Sequence, residues 1–267
     1  MRTVLEVSHL NKIFNAGTVN EKLAMDDMSF TLKQGDFVTI IGSNGAGKST
    51  LFNLISGYLL SDAGKIVLDG KDITFIPEYK RAKYIGRLFQ DPLKGTAPSM
   101  TIEENLAVSY SRNGHKGFSL GIKRKDKDLF RESLAQLGLG LEDRMKTKVG
   151  LLSGGQRQAV TLLMSTIVAP KILLLDEHTA ALDPATAEKV LEITKAIVKE
   201  QGITTMMITH NIQSALALGN RTMMMDSGKI ILDIEGAERA KLSVADLLNL
   251  FQRESNKELD NDRILLS

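Results

Sequence analysis

The sequence predicts an α/β fold built on a mostly parallel sheet, and three observations carry that expectation. Phe37-Val38-Thr39-Ile40-Ile41 is a nearly continuous apolar run, and Lys171-Ile172-Leu173-Leu174-Leu175-Asp176 and residues 203–209 read as two further buried strands. Such runs suit strands buried on both faces. Helical patterns alternate with them, as in strand–helix–strand units. Directly after the first run, Gly42-Ser43-Asn44-Gly45-Ala46-Gly47-Lys48-Ser49 fits the phosphate-loop spacing, a motif that belongs between a buried strand and a helix.

The remaining elements follow in order. Residues 3–8 and 24–32 read as short strands, the second alternating apolar positions at Met28, Phe30 and Leu32. A helix starts near Lys48, with Leu51, Leu54 and Ile55 on one stripe. Residues 64–70 read as a strand with turn residues at both ends. From about Asp91 to Ala169 strand signals vanish, which predicts an inserted helical block. Within it, Thr101 and Glu104 form a capping box ahead of Leu106, and 111–127 reads as a loop. The basic cluster Lys123-Arg124-Lys125 is expected to be part of that solvated loop. Ala159, Leu162, Leu163, Thr166 and Ile167 recur at helical spacing until Pro170. Asp183-Pro184 opens a helix that ends before Gly202, with Asp as N-cap. A short helix spans 211–218. Residues 223–232 read as a hairpin turning at Asp226-Ser227-Gly228. Ser243 caps a last helix, and a polar tail from Glu254 ends in Ile264-Leu265-Leu266. The expected division is a nucleotide-binding α/β core over 1–90 and 170–235, a helical subdomain over 91–169, and a C-terminal helix and tail over 236–267.

Composition narrows the function classes. Thirty-four basic residues face 32 acidic ones, a formal net of +2. That balance is too even for a dedicated nucleic-acid or membrane-surface binder. There is no cysteine, which excludes disulfides, thiolate metal sites and thiol nucleophiles. No run approaches 18 apolar residues, so the chain is not expected to span a membrane. Any membrane role then goes through another subunit.

The chemistry-bearing residues begin with the phosphate loop. Its glycines let backbone N–H groups converge on a phosphate, and the following helix offers its positive end. Lys48 adds a point charge toward the β/γ-phosphates, and the Ser49 hydroxyl is placed for Mg2+. Asp176 ends a buried strand, where a carboxylate can hold Mg2+ through water. Taken alone it is equally a strand-end residue capping a loop. Glu177 follows at the sheet edge where α/β folds bind ligands, and can polarise an attacking water. Its competing role is that of a solvated loop acid. His210 ends the third buried strand on the same edge. A lone histidine at a strand end more often serves structure, but this one is placed to reach a γ-phosphate. Leu152-Ser153-Gly154-Gly155-Gln156 puts a glycine pair at the start of a helix, a second site suited to an anion.

Taken together, these motifs resemble the ATPase subunit of an ABC transporter, in order along residues 3–235. The resemblance implies a P-loop NTPase (RecA-like) core, an antiparallel β subdomain and an inserted α-helical signature subdomain. Phe14 matches the adenine-stacking aromatic, although an aromatic there also suits a core. Gly42 through Thr50 match Walker A, and Gln90 the glutamine that reaches Mg2+ and the attacking water. Ser153, Gly154, Gly155 and Gln156 match the signature, and residues 172–176 match Walker B. Glu177 matches the catalytic glutamate, Asp183 the aspartate of the D-loop, and His210 the switch histidine. The implied cofactors are ATP and Mg2+. Two copies are implied to sandwich two ATP molecules head to tail, each site completed by the other copy's signature.

One position departs from the family pattern. His178 stands where proline is usual, and is expected to add a titratable group near the γ-phosphate. Together with Gly95-Thr96-Ala97-Pro98-Ser99-Met100, the phrase Asp176-Glu177-His178-Thr179-Ala180 resembles a bacterial importer subgroup associated with amino-acid uptake. The implied partners are integral membrane permease subunits and an extracytoplasmic solute-binding protein. The implied location is the cytoplasmic face of the membrane. A soluble ABC-type ATPase outside transport, such as an iron–sulfur assembly factor, is the alternative from another class. A nucleotide sensor that does not hydrolyse is a third, but it requires a damaged catalytic set.

Overall fold

The computed structural model describes residues 2–113 and 122–255. Two sheets form its frame. The six-stranded one holds β3 (Phe37–Gly42), β6 (Ile85–Leu88), β7 (Ile172–Asp176), β8 (Thr204–Ile208), β9 (Arg221–Asp226) and β10 (Lys229–Glu235), in the order β10-β9-β3-β8-β7-β6. Every pairing is parallel except the β9–β10 hairpin. Every residue of β3, β7 and β8 is buried, which is why their sequences are dominated by apolar and β-branched residues. The second sheet is antiparallel, with β1 (Thr3–Phe14), β2 (Lys22–Lys33), β4 (Ala63–Leu68) and β5 (Lys71–Asp72) in the order β2-β1-β4-β5.

Helix α1 (Lys48–Ser56) lies between the two sheets. Its Leu51, Phe52, Leu54 and Ile55 share one core with Leu5 and Met25 of the antiparallel sheet and Ile40, Leu174 and Met206 of the parallel one. The other face of the parallel sheet is covered by α3 (Ile102–Tyr110), α4 (Arg124–Ala135), α5 (Gly154–Thr166) and α6 (Pro184–Gln201). A third cluster joins Ile41 and Met224 to α7 (Ile212–Leu218) and α9 (Val244–Ser255) through Ile212, Leu247 and Phe251. Two short helices, α2 (Glu78–Arg81) and α8 (Gly236–Arg239), link these layers. Among the described residues, no helix is long and apolar enough to cross a membrane.

The caps expected from sequence are present. Thr101 Oγ1 accepts from Glu104 N–H, and the Glu104 carboxylate accepts from Thr101 N–H at 2.7 Å. Asp183 caps α6, and Gly202 ends it in a left-handed conformation.

Three expectations need correction. The first two strands run to Phe14 and Lys33, longer than their alternation suggested, because bulges interrupt the pairing without ending it. Residues 85–88 form a strand that no periodicity announced, since Arg87 breaks a run of only four residues. Lys123-Arg124-Lys125 opens a helix rather than lying in a loop: Lys123 is the N-cap of α4, and the Asp126 carboxylate accepts from Lys123 N–H. Phe130 and Leu134 then anchor α4 in the core. Residues 114–121 of the expected 111–127 loop, and the tail from 256, lie outside the described residues.

Candidate active site

Parallel register builds the site. Leu88 pairs with Leu175, and Asp176 pairs with Ile208. The residues just past these pairs therefore meet at one sheet edge. There the Glu177 carboxylate is held on both oxygens: His210 Nε2 is 2.7 Å from Oε1, and Gln90 Nε2 donates to Oε2 at 3.3 Å. Glu177 N–H bonds Ile208 O, and Glu177 takes a positive φ of 46°, rare for a residue with a Cβ. Strained backbone of this kind tends to persist where the surroundings over-determine it. These residues border a cleft of about 720 Å3 that also reaches Leu182 and Asn211.

The phosphate loop lies along the same edge. Gly47 is the N-cap of α1 at φ 100°, and no side chain caps that helix end. Its first-turn N–H groups are therefore left for an external acceptor. A Cβ on Gly47 would fall 2.3 Å from Met25 Cε and 2.7 Å from Ala24 O, so only glycine lets the loop press against β2. The Lys48 ammonium is buried and donates to Gly42 O at 2.7 Å and Ser43 O at 3.0 Å. Burial lowers its pKa, against the raising influence of Glu177 and Asp176. A cation desolvated in this way, beside open N–H groups, fits a polyphosphate.

Ser49 Oγ donates to Asp176 Oδ1 at 3.5 Å. A hydroxyl and a carboxylate side by side are oxygen donors of the kind Mg2+ takes when phosphates and water supply the remaining positions. Among the described residues no cluster of three or more His, Cys, Asp or Glu could hold a metal by itself. Burial raises the Asp176 pKa, and Arg87 is the main opposing influence. Arg87 was invisible to sequence reasoning. Its Nη2 lies 3.7 Å from Asp176 Oδ2 and donates to Asn53 Oδ1 at 2.7 Å.

Phe14 ends β1, half-buried, opposite Lys22 of β2. The Lys12 ammonium lies 5.8 Å from its ring centroid. Lys22 Nζ sits 3.7 Å from where a Gly45 Cβ would be, so the aromatic end of β1 adjoins the phosphate loop. The structure thus gathers Phe14, residues 42–50, Gln90, Asp176, Glu177 and His210.

It does not bring the signature to them. Ser153 caps α5 in a capping box with Gln156, both bonds at 3.3 Å. That cap uses the Gln156 N–H and leaves those of Gly154 and Gly155. No described hydrogen bond or ion pair joins 153–156 to the phosphate loop. Gly155 is buried, and a Cβ there would lie 2.2 Å from Thr186 Cγ2, so α5 and α6 pack backbone to side chain. The Asp183 carboxylate is committed to the α6 cap, accepting from Thr186 N–H at 3.0 Å.

His178 is a correction. It borders the same cleft as Glu177 and His210, but as a buried, neutral ring rather than a freely titrating group. It is 3% exposed, with Nε2 3.3 Å from Thr194 Oγ1, and burial lowers its pKa to about 4.

Comparison with known proteins gives the family of the chain. A family model described as "ABC transporter" matches residues 25–180. The chain is 42% identical over 249 residues to a tyrosine transport ATP-binding protein of Clostridioides difficile, covering 93% of this chain and 99% of that one. It is 33% identical to a methionine import ATP-binding protein of Corynebacterium efficiens, covering 86% of this chain but only 62% of that longer one. Among solved structures, the ABC transporter cassette MJ1267 superposes with a TM-score of 0.77 at 28% identity, covering 94% of this chain and 99% of that one. The dimeric post-hydrolysis cassette MJ0796, bound to ADP and Pi, superposes with a TM-score of 0.73 at 27% identity, covering 86% and 98%. The chain belongs to the ABC transporter ATP-binding family.

Proposed function

We propose that this ATPase drives import of an amino acid through a separate membrane permease, from the cytoplasmic face of the membrane and with an extracytoplasmic solute-binding protein. As an ABC ATPase the chain binds ATP and Mg2+, hydrolyses ATP and works as a dimer of cassettes beside a permease. Support for the amino acid comes from the relative named for tyrosine transport, which aligns along nearly the whole chain. The near-even charge gives no support to a nucleic-acid partner.

The observation that carries the catalytic reading is the Glu177 carboxylate fixed between His210 and Gln90, next to Asp176. In this reading Lys48 and the uncapped first-turn N–H groups of α1 hold the β- and γ-phosphates. Phe14 stacks on the base. Ser49, Asp176 and Gln90 would hold Mg2+, which would supply charge neutralisation on the phosphates. Glu177 orients the attacking water and takes its proton, and His210 fixes that carboxylate and senses the γ-phosphate. Ser153, Gly154, Gly155 and Gln156 act on the nucleotide of the other copy, with Asp183 at the same dimer face. Residues 1–90 and 170–235 serve as the nucleotide core, 91–169 as the helical subdomain and 236–267 as a C-terminal appendage.

Residues 90–100 are assigned to the permease contact. Asp91 Oδ1 accepts from Leu93 N–H at 2.9 Å, which shapes a tight turn that presents Leu93 to solvent. The assignment of solute is tested by uptake. Cells lacking this gene should lose uptake of labelled tyrosine. Normal tyrosine uptake by those cells would overturn the amino-acid reading drawn from this relative.

A further inference from the structure

Arg87 occupies an unusual position. It lies on β6, half-buried, between the helix that follows the phosphate loop and the carboxylate at the end of β7. Its Nη1 donates to Ser56 Oγ at 2.9 Å and its Nη2 to Asn53 Oδ1 at 2.7 Å, both on α1. The same Nη2 faces Asp176 Oδ2 at 3.7 Å. The Phe89 ring covers the guanidinium, 4.6 Å from its carbon. Arg87 Nε is buried without a hydrogen-bond partner. A buried, unpaired N–H is a cost. The side chain accepts it while holding its other two nitrogens in one fixed fork.

That fork acts on one oxygen of Asp176. Oδ2 faces Arg87, and Oδ1 is left facing Ser49 Oγ at 3.5 Å. A carboxylate free to rotate would present either oxygen. We propose that Arg87, anchored on α1 through Asn53 and Ser56, is a positioning residue that orients Asp176 toward the divalent cation. It ties that carboxylate to the phosphate-loop helix. Arg87 and Phe89 also line a groove of about 240 Å3 beside Lys94 and Arg112, so the carboxylate is one residue removed from that surface.

The inference rests on the reading that Ser49 and Asp176 hold the metal, and the experiment separates the two. The probe is Mn2+, followed by its free EPR signal, titrated into the protein saturated with a non-hydrolysable ATP analogue. Nucleotide affinity is measured in parallel in EDTA. Asp176→Asn reports on the metal reading itself and should weaken Mn2+ binding strongly. Arg87→Met should weaken it roughly 10-fold, as loss of an outer-shell partner does, and leave nucleotide affinity in EDTA unchanged. Arg87→Lys should not restore it, because one ammonium cannot span Asn53, Ser56 and Asp176. Asn53→Ala removes the anchor without opening the core, and should shift Mn2+ affinity in the same direction by a smaller factor. It keeps the test open if Arg87→Met does not fold. Unchanged or tighter Mn2+ binding in the Arg87 and Asn53 variants, with Asp176→Asn still weakened, overturns the positioning role alone. Equal loss of nucleotide affinity in EDTA overturns it too, since Arg87 would then act on α1 rather than on the carboxylate. No effect of Asp176→Asn overturns the metal reading beneath it.

Discussion

His210 and Glu177 meet at 2.7 Å, although one follows β8 and the other β7. The parallel register sets this contact, because Asp176 pairs with Ile208 and both chains continue past the pair on the same side. The second Glu177 oxygen takes Gln90, delivered by β6. Three neighbouring strands thus fix one carboxylate, and its preorganisation is a property of the sheet rather than of a loop.

The signature provides the first prediction. Gly155 is packed against Thr186, so Gly155→Ala or Gly155→Asp disturbs α5 and α6 whatever it does to a nucleotide. Ser153 is exposed and its structural duty is the N-cap, which aspartate performs as well as serine. Ser153→Asp should therefore keep the fold and keep ATP binding by one chain, while placing a negative charge against the γ-phosphate of the other site. ATP-driven dimerisation and hydrolysis should be lost. Lys48→Ala should instead abolish tight ATP binding. Nucleotide titration and light scattering of both variants check this; equal loss of binding in both contradicts a composite site.

A second prediction concerns His178. Its folded pKa of about 4 lies below the ordinary histidine value of 6.5, so the folded state requires the neutral ring. The unfolded chain takes up a proton as pH falls below about 6.5, and the folded one does not until about pH 4. The contribution of His178 is full above pH 6.5 and is lost as pH falls through that window, by roughly 3 kcal/mol. His178→Leu should show a flatter dependence of stability between pH 7 and pH 4 in urea unfolding. Parallel curves for the two proteins contradict this. The ATPase pH profile above pH 6 should be alike in both.

The two outcomes differ in how far sequence could see. β3, β7 and β8 are buried on both faces, so their composition alone marks them. The phosphate loop and Asp176 follow from their positions at the ends of those strands. β6 was missed because Arg87 interrupts it, and Arg87 matters only through Asp176 and Asn53, which the chain brings to it from far away. α4 was missed because its sequence is mostly charged, with Phe130 and Leu134 its fully buried anchors. The inward turn of His178 was illegible for a similar reason. Its neighbour Thr194 is on a helix, and nothing in the local sequence tells whether a ring after a strand is open to solvent or buried.

A third prediction addresses the 91–100 segment. Leu93 and Ser99 are exposed, and Thr96 is half-buried. The chain has no cysteine of its own. Single cysteines at Leu93 and Ser99 should cross-link to permease helices with a yield that changes on adding ATP, and one at Thr96 should do so more weakly. Cross-links confined to the 111–127 region move the contact there.

The central claim is that Glu177 orients the water that attacks ATP, and one measurement addresses it most directly. Single-turnover hydrolysis by purified Glu177→Gln is followed together with ATP affinity. Glutamine keeps the shape of the side chain but cannot take a proton. The rate should fall by about 10²–10⁴-fold while ATP still binds, and the protein should accumulate as an ATP-bound dimer. Near-normal turnover would place the base on another residue and contradict the account.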